Sequence, residues 1–166
     1  MQSRNLALIS IFAALYAVLV VALAGISFQL VQVRIADALL PLSIVFGWPA
    51  VAGVTIGAAV ANIVSPSPSV VVDVVFGSLA NLVAGFLAWR ISQLRFSRET
   101  IAELLGCISA ILAVTLIVGT YLAILFQTEV WIWWLGVGAG SVISIGIVGF
   151  PLVQIMKRIS QKPRST

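Results

Sequence analysis

The sequence predicts an all-α integral membrane protein, a bundle of six transmembrane helices with both termini in the cytoplasm. Three observations predict it. Of the 166 residues 61% are hydrophobic and only 8% charged, and the mean hydropathy is +1.20. A soluble domain of this size has too little interior to hide that much apolar surface, so the surplus must face lipid. The nine basic residues sit in short clusters between apolar runs, where they read as topology signals and contacts to anionic lipid rather than to nucleic acid.

The first apolar run, Leu6–Gly25, follows Arg4 and could pass for a secretory signal. It is long and is followed by further runs, so it is assigned to the first helix, 6–25. The second helix, 32–47, has an apolar core of only Ala36–Phe46. That core spans about 16 Å against a hydrocarbon thickness of about 30 Å, so it must be extended by its flanks or shielded by protein. The third, 49–64, is separated from it by Gly47-Trp48-Pro49, since Pro49 disfavours helix at Trp48. The fourth, 70–90, follows the turn Ser65-Pro66-Ser67-Pro68-Ser69, which cannot continue a helix. The fifth and sixth are 102–126 and 131–156, and a basic tail, 157–166, completes a single membrane domain.

Charge selects six spans over five. With Arg4 inside and six crossings, the cytoplasmic side receives Arg4, Arg90, Arg95, Arg98, Lys157, Arg158, Lys162 and Arg164, and only Arg34 lies outside. Fusing the second and third runs would put Arg90–Arg98 opposite Arg4, against the positive-inside rule. Leu94–Glu103 is then a cytoplasmic linker with some helix running through it. The outer side carries 26–35, 65–69 and 127–130.

Several chemistries are excluded. The pattern GxxxxGK[ST] is absent and the first lysine is Lys157, so the chain holds no phosphate-cradling loop of its own. There is no histidine to act as a base, no GxSxG elbow and a single cysteine, Cys107, inside an apolar run. Neither a nucleophilic triad, a disulfide framework nor a metal centre is expected, and no cofactor is called for. The chain is a binder, a conduit or a subunit, not an enzyme.

Its informative residues are polar groups in or near the membrane. Arg34 and Asp37, spaced i, i+3, share one face where a helix begins. They either form an ion pair that positions the second helix, or leave one member to hold a polar ligand at the outer mouth. Asp73 has no basic neighbour within Val70–Leu87, and an uncompensated carboxylate in a membrane costs at least about 2.5–3.5 kcal/mol. It either caps its helix at the water interface or faces the interior and binds a donor-rich or cationic ligand. Asn81, on the same side of that helix, and Asn62, at the outer end of the third, are candidates for helix–helix hydrogen bonds or for ligand contacts. Trp131, Trp133 and Trp134 read as an aromatic belt. Trp131 and Trp134, three apart, alternatively offer an indole on which a planar ligand stacks, with Trp133 pointing elsewhere. Small residues at Ala13 and Ala17, Gly53 and Gly57, and Ala80, Ala84 and Ala88 allow close helix packing, or docking of another membrane subunit where they face outward.

The stretch Phe28 to Gly85 resembles the QueT family, through Gln32-x-Arg34-x-x-Asp37-Ala38-Leu39, Gly53 and Gly57, Ala61-Asn62, Ser65-Pro66 and Asp73-x-x-Phe76-Gly77-Ser78-Leu79-Ala80. Asp37 stands where many relatives are expected to carry glutamate. The resemblance implies a substrate-binding S-component of an energy-coupling-factor (ECF) transporter, importing queuosine precursors across a prokaryotic plasma membrane. It further implies a transmembrane coupling subunit and two cytoplasmic ATPase subunits as partners, with docking through Ala13 and Ala17. On this basis a deazaguanine is expected between the first external loop and the last three helices, against Arg34, Asp37, Asn62, Asp73, Asn81, Trp131 and Trp134. The rival expectation is a stand-alone secondary transporter using Asp73 for ion or proton coupling.

Overall fold

The structure is a computed structural model that describes residues 3–29, 31–94 and 98–161. Arg95, Lys162 and Arg164, which enter the charge argument, and the end of the basic tail lie outside the described residues. The described chain is helical, without a strand. Helix α1 (Ser3–Ala22) and a short turn α2 (Ala24–Ser27) lead to a 3-10 segment, Ile35–Leu42, continued by α3 (Ser43–Phe46). Helix α4 (Trp48–Ala61) ends in a 3-10 turn, Asn62–Val64, and is followed by α5 (Val70–Ser92) and α6 (Glu99–Phe126). The last rod is α7 (Val130–Ser141), a π-helical stretch Val142–Gly149, and α8 (Phe150–Gln161). Four helices, Ser3–Ala22, Val70–Ser92, Glu99–Phe126 and Val130–Ser160, are long and apolar enough to cross a bilayer, and Ile35–Phe46 and Trp48–Val64 are shorter apolar helices. The protein is a membrane protein.

The second helix departs from a regular α-helix. Pro41 lies inside the segment, where its missing N–H and its ring interrupt an α-helical ladder, and the segment has 3-10 geometry. At about 2.0 Å per residue it also reaches further than an α-helix of equal length. Ala36 to Ser43 are all buried, so protein rather than lipid surrounds this short element. It ends at Gly47, whose φ of 65° favours glycine; Ala50 N–H donates to the Gly47 carbonyl at 3.1 Å, starting α4 with Pro49 in its first turn, where no proline N–H is missed.

Close approaches place the remaining elements. A Cβ at Gly53 would lie 2.5 Å from Phe12 Cβ, and one at Gly57 2.7 Å from the Ala13 carbonyl oxygen, so this glycine pair seats α4 directly on α1. The π stretch packs on the 3-10 segment, and a Cβ at Gly149 would lie 2.8 Å from Pro41 Cγ. Nine residues earlier on the last rod, a Cβ on Gly140 would overlap the backbone carbonyl of Gln32. The two irregular helices thus lie against each other, and the last rod also fixes the loop that enters the first of them.

Candidate functional site

Two aspartates lie inside the bundle, and each is held by a phenol. An apolar interior tolerates a carboxylate only when donors replace water. Tyrosine supplies one at the end of an otherwise apolar ring. Tyr16, fully buried on α1, donates from its hydroxyl to Asp37 Oδ1 at 2.5 Å. Tyr121 on α6 donates to Asp73 Oδ1. Asp37 is 5% exposed and Asp73 2%. Neither tyrosine was among the sequence candidates. The signal was there: the chain has only two tyrosines, both inside apolar runs, and the two aspartates need donors.

Around Asp73 the helix is capped by Ser69, whose Oγ accepts from Val72 N–H at 3.5 Å, so Asp73 is not the cap. Asn62 donates from Nδ2 to the Asp73 backbone carbonyl at 3.0 Å. Its Oδ1 is buried without a partner among the described residues. Gly77 makes room for that carboxamide, because a Cβ there would overlap Asn62 Nδ2. Asn81 donates to the Val54 carbonyl at 3.3 Å; it ties α5 to α4, the helix–helix role weighed for it.

Arg34 is 5% exposed, with its guanidinium carbon 5.3 Å from the Phe28 ring centroid. It lies within electrostatic reach of Tyr16, Asp37 and Tyr121. The ion pairs among the described residues are those of Lys157 with Glu99 and Glu103, so Arg34 and Asp37 are neighbours without a direct salt bridge. Arg34 Nε has no partner among the described residues.

The tryptophans divide differently from expectation. Trp131 is 59% exposed, and Trp134, 40% exposed, donates to Thr120 Oγ1 at 3.1 Å. Trp133 is the inward one, at 8%. It stacks on Phe126 with centroids 5.1 Å apart and donates to Thr128 Oγ1 at 2.7 Å. Trp133, Val137 and Gly140 are all buried on α7, a period of three to four that marks the protein-facing side.

Trp133 and Asp73 line one small cavity together with Phe28, Gln32, Ser65 and Ser67, with a volume of about 20 Å³. That holds about one water, whereas small-molecule pockets run to about 300–1,000 Å³. A ring the size of a purine therefore enters only if the segment carrying Phe28 and Gln32 and the Ser65–Ser67 turn separate from Trp133. The cavity brings together Asp73, an aromatic face and the loops at one end of the bundle. Of the other sequence candidates, Arg34, Asp37, Asn62 and Asn81 are buried without lining it, and Trp131 and Trp134 do not line it either. Ala13 and Ala17 on α1 are both half-buried.

Because Tyr121 is the side-chain donor to Asp73, Tyr121→Phe should destabilise the protein by about 1–3 kcal/mol. Thermal unfolding in detergent measures this, and a midpoint equal to that of the unmodified chain would contradict the assignment.

A family model described as QueT transporter matches residues 6–158, nearly the whole chain. Nothing matches among curated proteins or among solved structures.

Proposed function

The chain belongs to the QueT transporter family and is a membrane transport protein; from that premise we propose that it is the substrate-binding S-component of an ECF importer. The observation that carries the proposal is the mouth cavity in which a buried carboxylate, Asp73, faces an inward indole, Trp133. The indole stacks a planar ring, and the carboxylate accepts from its N–H groups. A deazaguanine queuosine precursor has both features. Arg34, Asp37, Asn62 and Asn81 form the polar support behind the carboxylate, with Arg34 Nε and Asn62 Oδ1 as the groups left to receive a polar ligand. A site built on buried acceptors rejects ligands that lack the matching donors, because such a ligand leaves them unpaired.

In the proposed topology six helical segments cross a prokaryotic plasma membrane, with both termini in the cytoplasm and the cavity outside. The charges favour it: Arg90, Arg98, Lys157 and Arg158 belong to the helix ends and loop away from the cavity. Without a P-loop the chain depends on a coupling subunit and two ATPases for energy. We place docking of the coupling subunit on the outward side of α1. There Ala17 adjoins Val18 and Val21, which are exposed, while Ala13 gives its backbone to Gly57 of α4. Ala17→Leu separates docking from α1–α4 packing, and the double change with Ala13→Leu extends the obstruction.

The test is uptake of a labelled deazaguanine into liposomes. With the coupling subunit and ATPases present, uptake should require ATP and fall to background in Ala13→Leu/Ala17→Leu, while ligand binding by the isolated subunit persists. Uptake by this chain alone under a proton gradient would instead establish a secondary transporter coupled through Asp73.

A further inference from the structure

The basic end of the bundle carries more cations than the chain can neutralise. The whole sequence has five acidic residues. Asp37 and Asp73 accept from buried phenols, Glu99 and Glu103 pair with Lys157, and Glu129 stands in the loop between α6 and α7, at the other end. Arg90, exposed near the end of α5, therefore has no carboxylate partner among the described residues. Its guanidinium carbon lies 5.9 Å from the centroid of the Trp89 ring, and that ring lies 6.4 Å from Trp48 at the start of α4. Trp48 is 50% exposed. Neither indole N–H donates to an acceptor among the described residues, unlike those of Trp133 and Trp134. One guanidinium and two indoles thus bring together donors only, at the depth where tryptophan meets lipid headgroups.

Further along the same seam a groove of about 310 Å³ runs between α4 and α5, lined by Thr55, Val74, Val75, Ser78, Leu79 and Leu82. Its two hydroxyls are turned onto their own helices: Thr55 Oγ1 donates to the Val51 carbonyl at 2.8 Å, and Ser78 Oγ to the Val74 carbonyl at 2.6 Å. The groove therefore presents carbon. Thr55 lies two helical turns beyond Trp48, hence on the same face and about 10 Å deeper, within one leaflet of a hydrocarbon core about 30 Å thick. Phe86, exposed one turn before Arg90, joins the donors to the groove along α5.

We propose that this seam binds one anionic glycerophospholipid, its phosphate on Arg90 and the indole N–H groups of Trp48 and Trp89, and one acyl chain in the groove. Donors without acceptors exclude a cationic headgroup, and a zwitterionic one brings its own ammonium to a place that already holds a cation. The guanidinium takes phosphate through its fork while its plane stays on the Trp89 ring. A free phosphate satisfies the donors and leaves the groove empty. A neutral lipid fills the groove and leaves Arg90 uncompensated. The proposal rests on the membrane assignment and on no feature of the substrate site.

Native mass spectrometry of the purified full-length chain, offered equal amounts of phosphatidylglycerol and phosphatidylcholine with identical acyl chains, tests it. One phosphatidylglycerol should be retained per chain, at least about fivefold in excess over phosphatidylcholine, the gain from one basic residue at an anionic headgroup. Arg90→Gln should abolish the preference. Arg158→Gln should preserve it, because this exposed arginine lies on α8, which packs on α3, α6 and the two irregular segments. Glycerol phosphate, the anion without chains, should not displace the lipid at equal concentration, and displacement would overturn the role of the groove. Equal retention of the two lipids by the unmodified chain would overturn the proposal. A preference that survives Arg90→Gln, or that Arg158→Gln removes, would show a diffuse basic surface in place of this site. A lipid-free dimer would show that a second copy covers the seam. The first comparison needs no variant, and Arg90 is exposed, so its replacement spares the fold.

Discussion

Lys157→Met is expected to destabilise the protein by about 3 kcal/mol, and adding Glu103→Met should restore most of that loss. Glu103 on α6 is 3% exposed and its Oε1 lies 2.5 Å from Lys157 Nζ on α8. Gln154, one turn earlier on α8, donates to Oε2 of the same carboxylate. Removing one partner of a buried pair costs about 3–5 kcal/mol because the other charge stays behind in a poor solvent. The lower end applies here because the lysine is 28% exposed. Replacing both partners by methionine removes the stranded charge and keeps apolar volume. The second contact of Lys157, to Glu99 at 3.2 Å, involves an 81% exposed carboxylate. Glu99→Gln should therefore cost less than about 1 kcal/mol. Denaturation in detergent separates these outcomes, and a Lys157→Met no more harmful than Glu99→Gln would show that the pair does not join α6 to α8.

Gly140→Ala should weaken substrate binding by about 1–3 kcal/mol, a factor of roughly 5 to 150, without contacting the substrate. The alanine Cβ would overlap the carbonyl of Gln32 and come within 3.1 Å of Val33 N. Both are backbone atoms, so no rotamer change relieves the clash and the segment Gln32–Arg34 must move. Overpacking of this kind costs about 1–3 kcal/mol. Its target is the segment that lines the cavity with Gln32 and carries Arg34 behind it. Gly146→Ala, six residues on, is the matched control, because its Cβ would meet nothing closer than Ile111 Cδ1 at 3.8 Å. Equilibrium titration of both variants with a deazaguanine checks the expectation, and equal affinities would contradict it.

These two sites show what was legible in the sequence and what was not. Apolar runs located the long helices because the surplus of hydrophobic residues has few alternatives, and the break at Gly47 followed from Pro49, two residues on. The change to 3-10 geometry at Ile35–Leu42 was not legible, since Pro41 marks an interruption of the helix but not the geometry that replaces it. The π stretch Val142–Gly149 was not legible either, since its apolar sequence carries no proline or charge that marks a change of helical pitch. Glu103 looked like part of a polar linker because it closes a charged stretch, yet α6 begins at Glu99 and carries it into the bundle.

At the site, the buried polar residues were legible because each is costly in a membrane. Asp73, Asp37, Arg34, Asn62 and Asn81 are all buried. Their partners were legible only in part: two tyrosines stand inside apolar runs, but which aspartate each phenol meets depends on helices distant in sequence. The choice among tryptophans turned on helical phase. The pair Trp131 and Trp134 drew attention by its spacing, but Trp133 shares its face with Val137 and Gly140, the residue that meets the Gln32 backbone.

The central claim, that substrate is held in the mouth cavity between Asp73 and Trp133, is tested most directly by titrating a deazaguanine into the purified chain, Trp133→Ala and Trp131→Ala. Aromatic stacking on a base is worth about 1–3 kcal/mol by alanine substitution. Binding should be saturable, weaken at least about fivefold in Trp133→Ala and stay unchanged in Trp131→Ala. A loss in Trp131→Ala with full affinity in Trp133→Ala would contradict it.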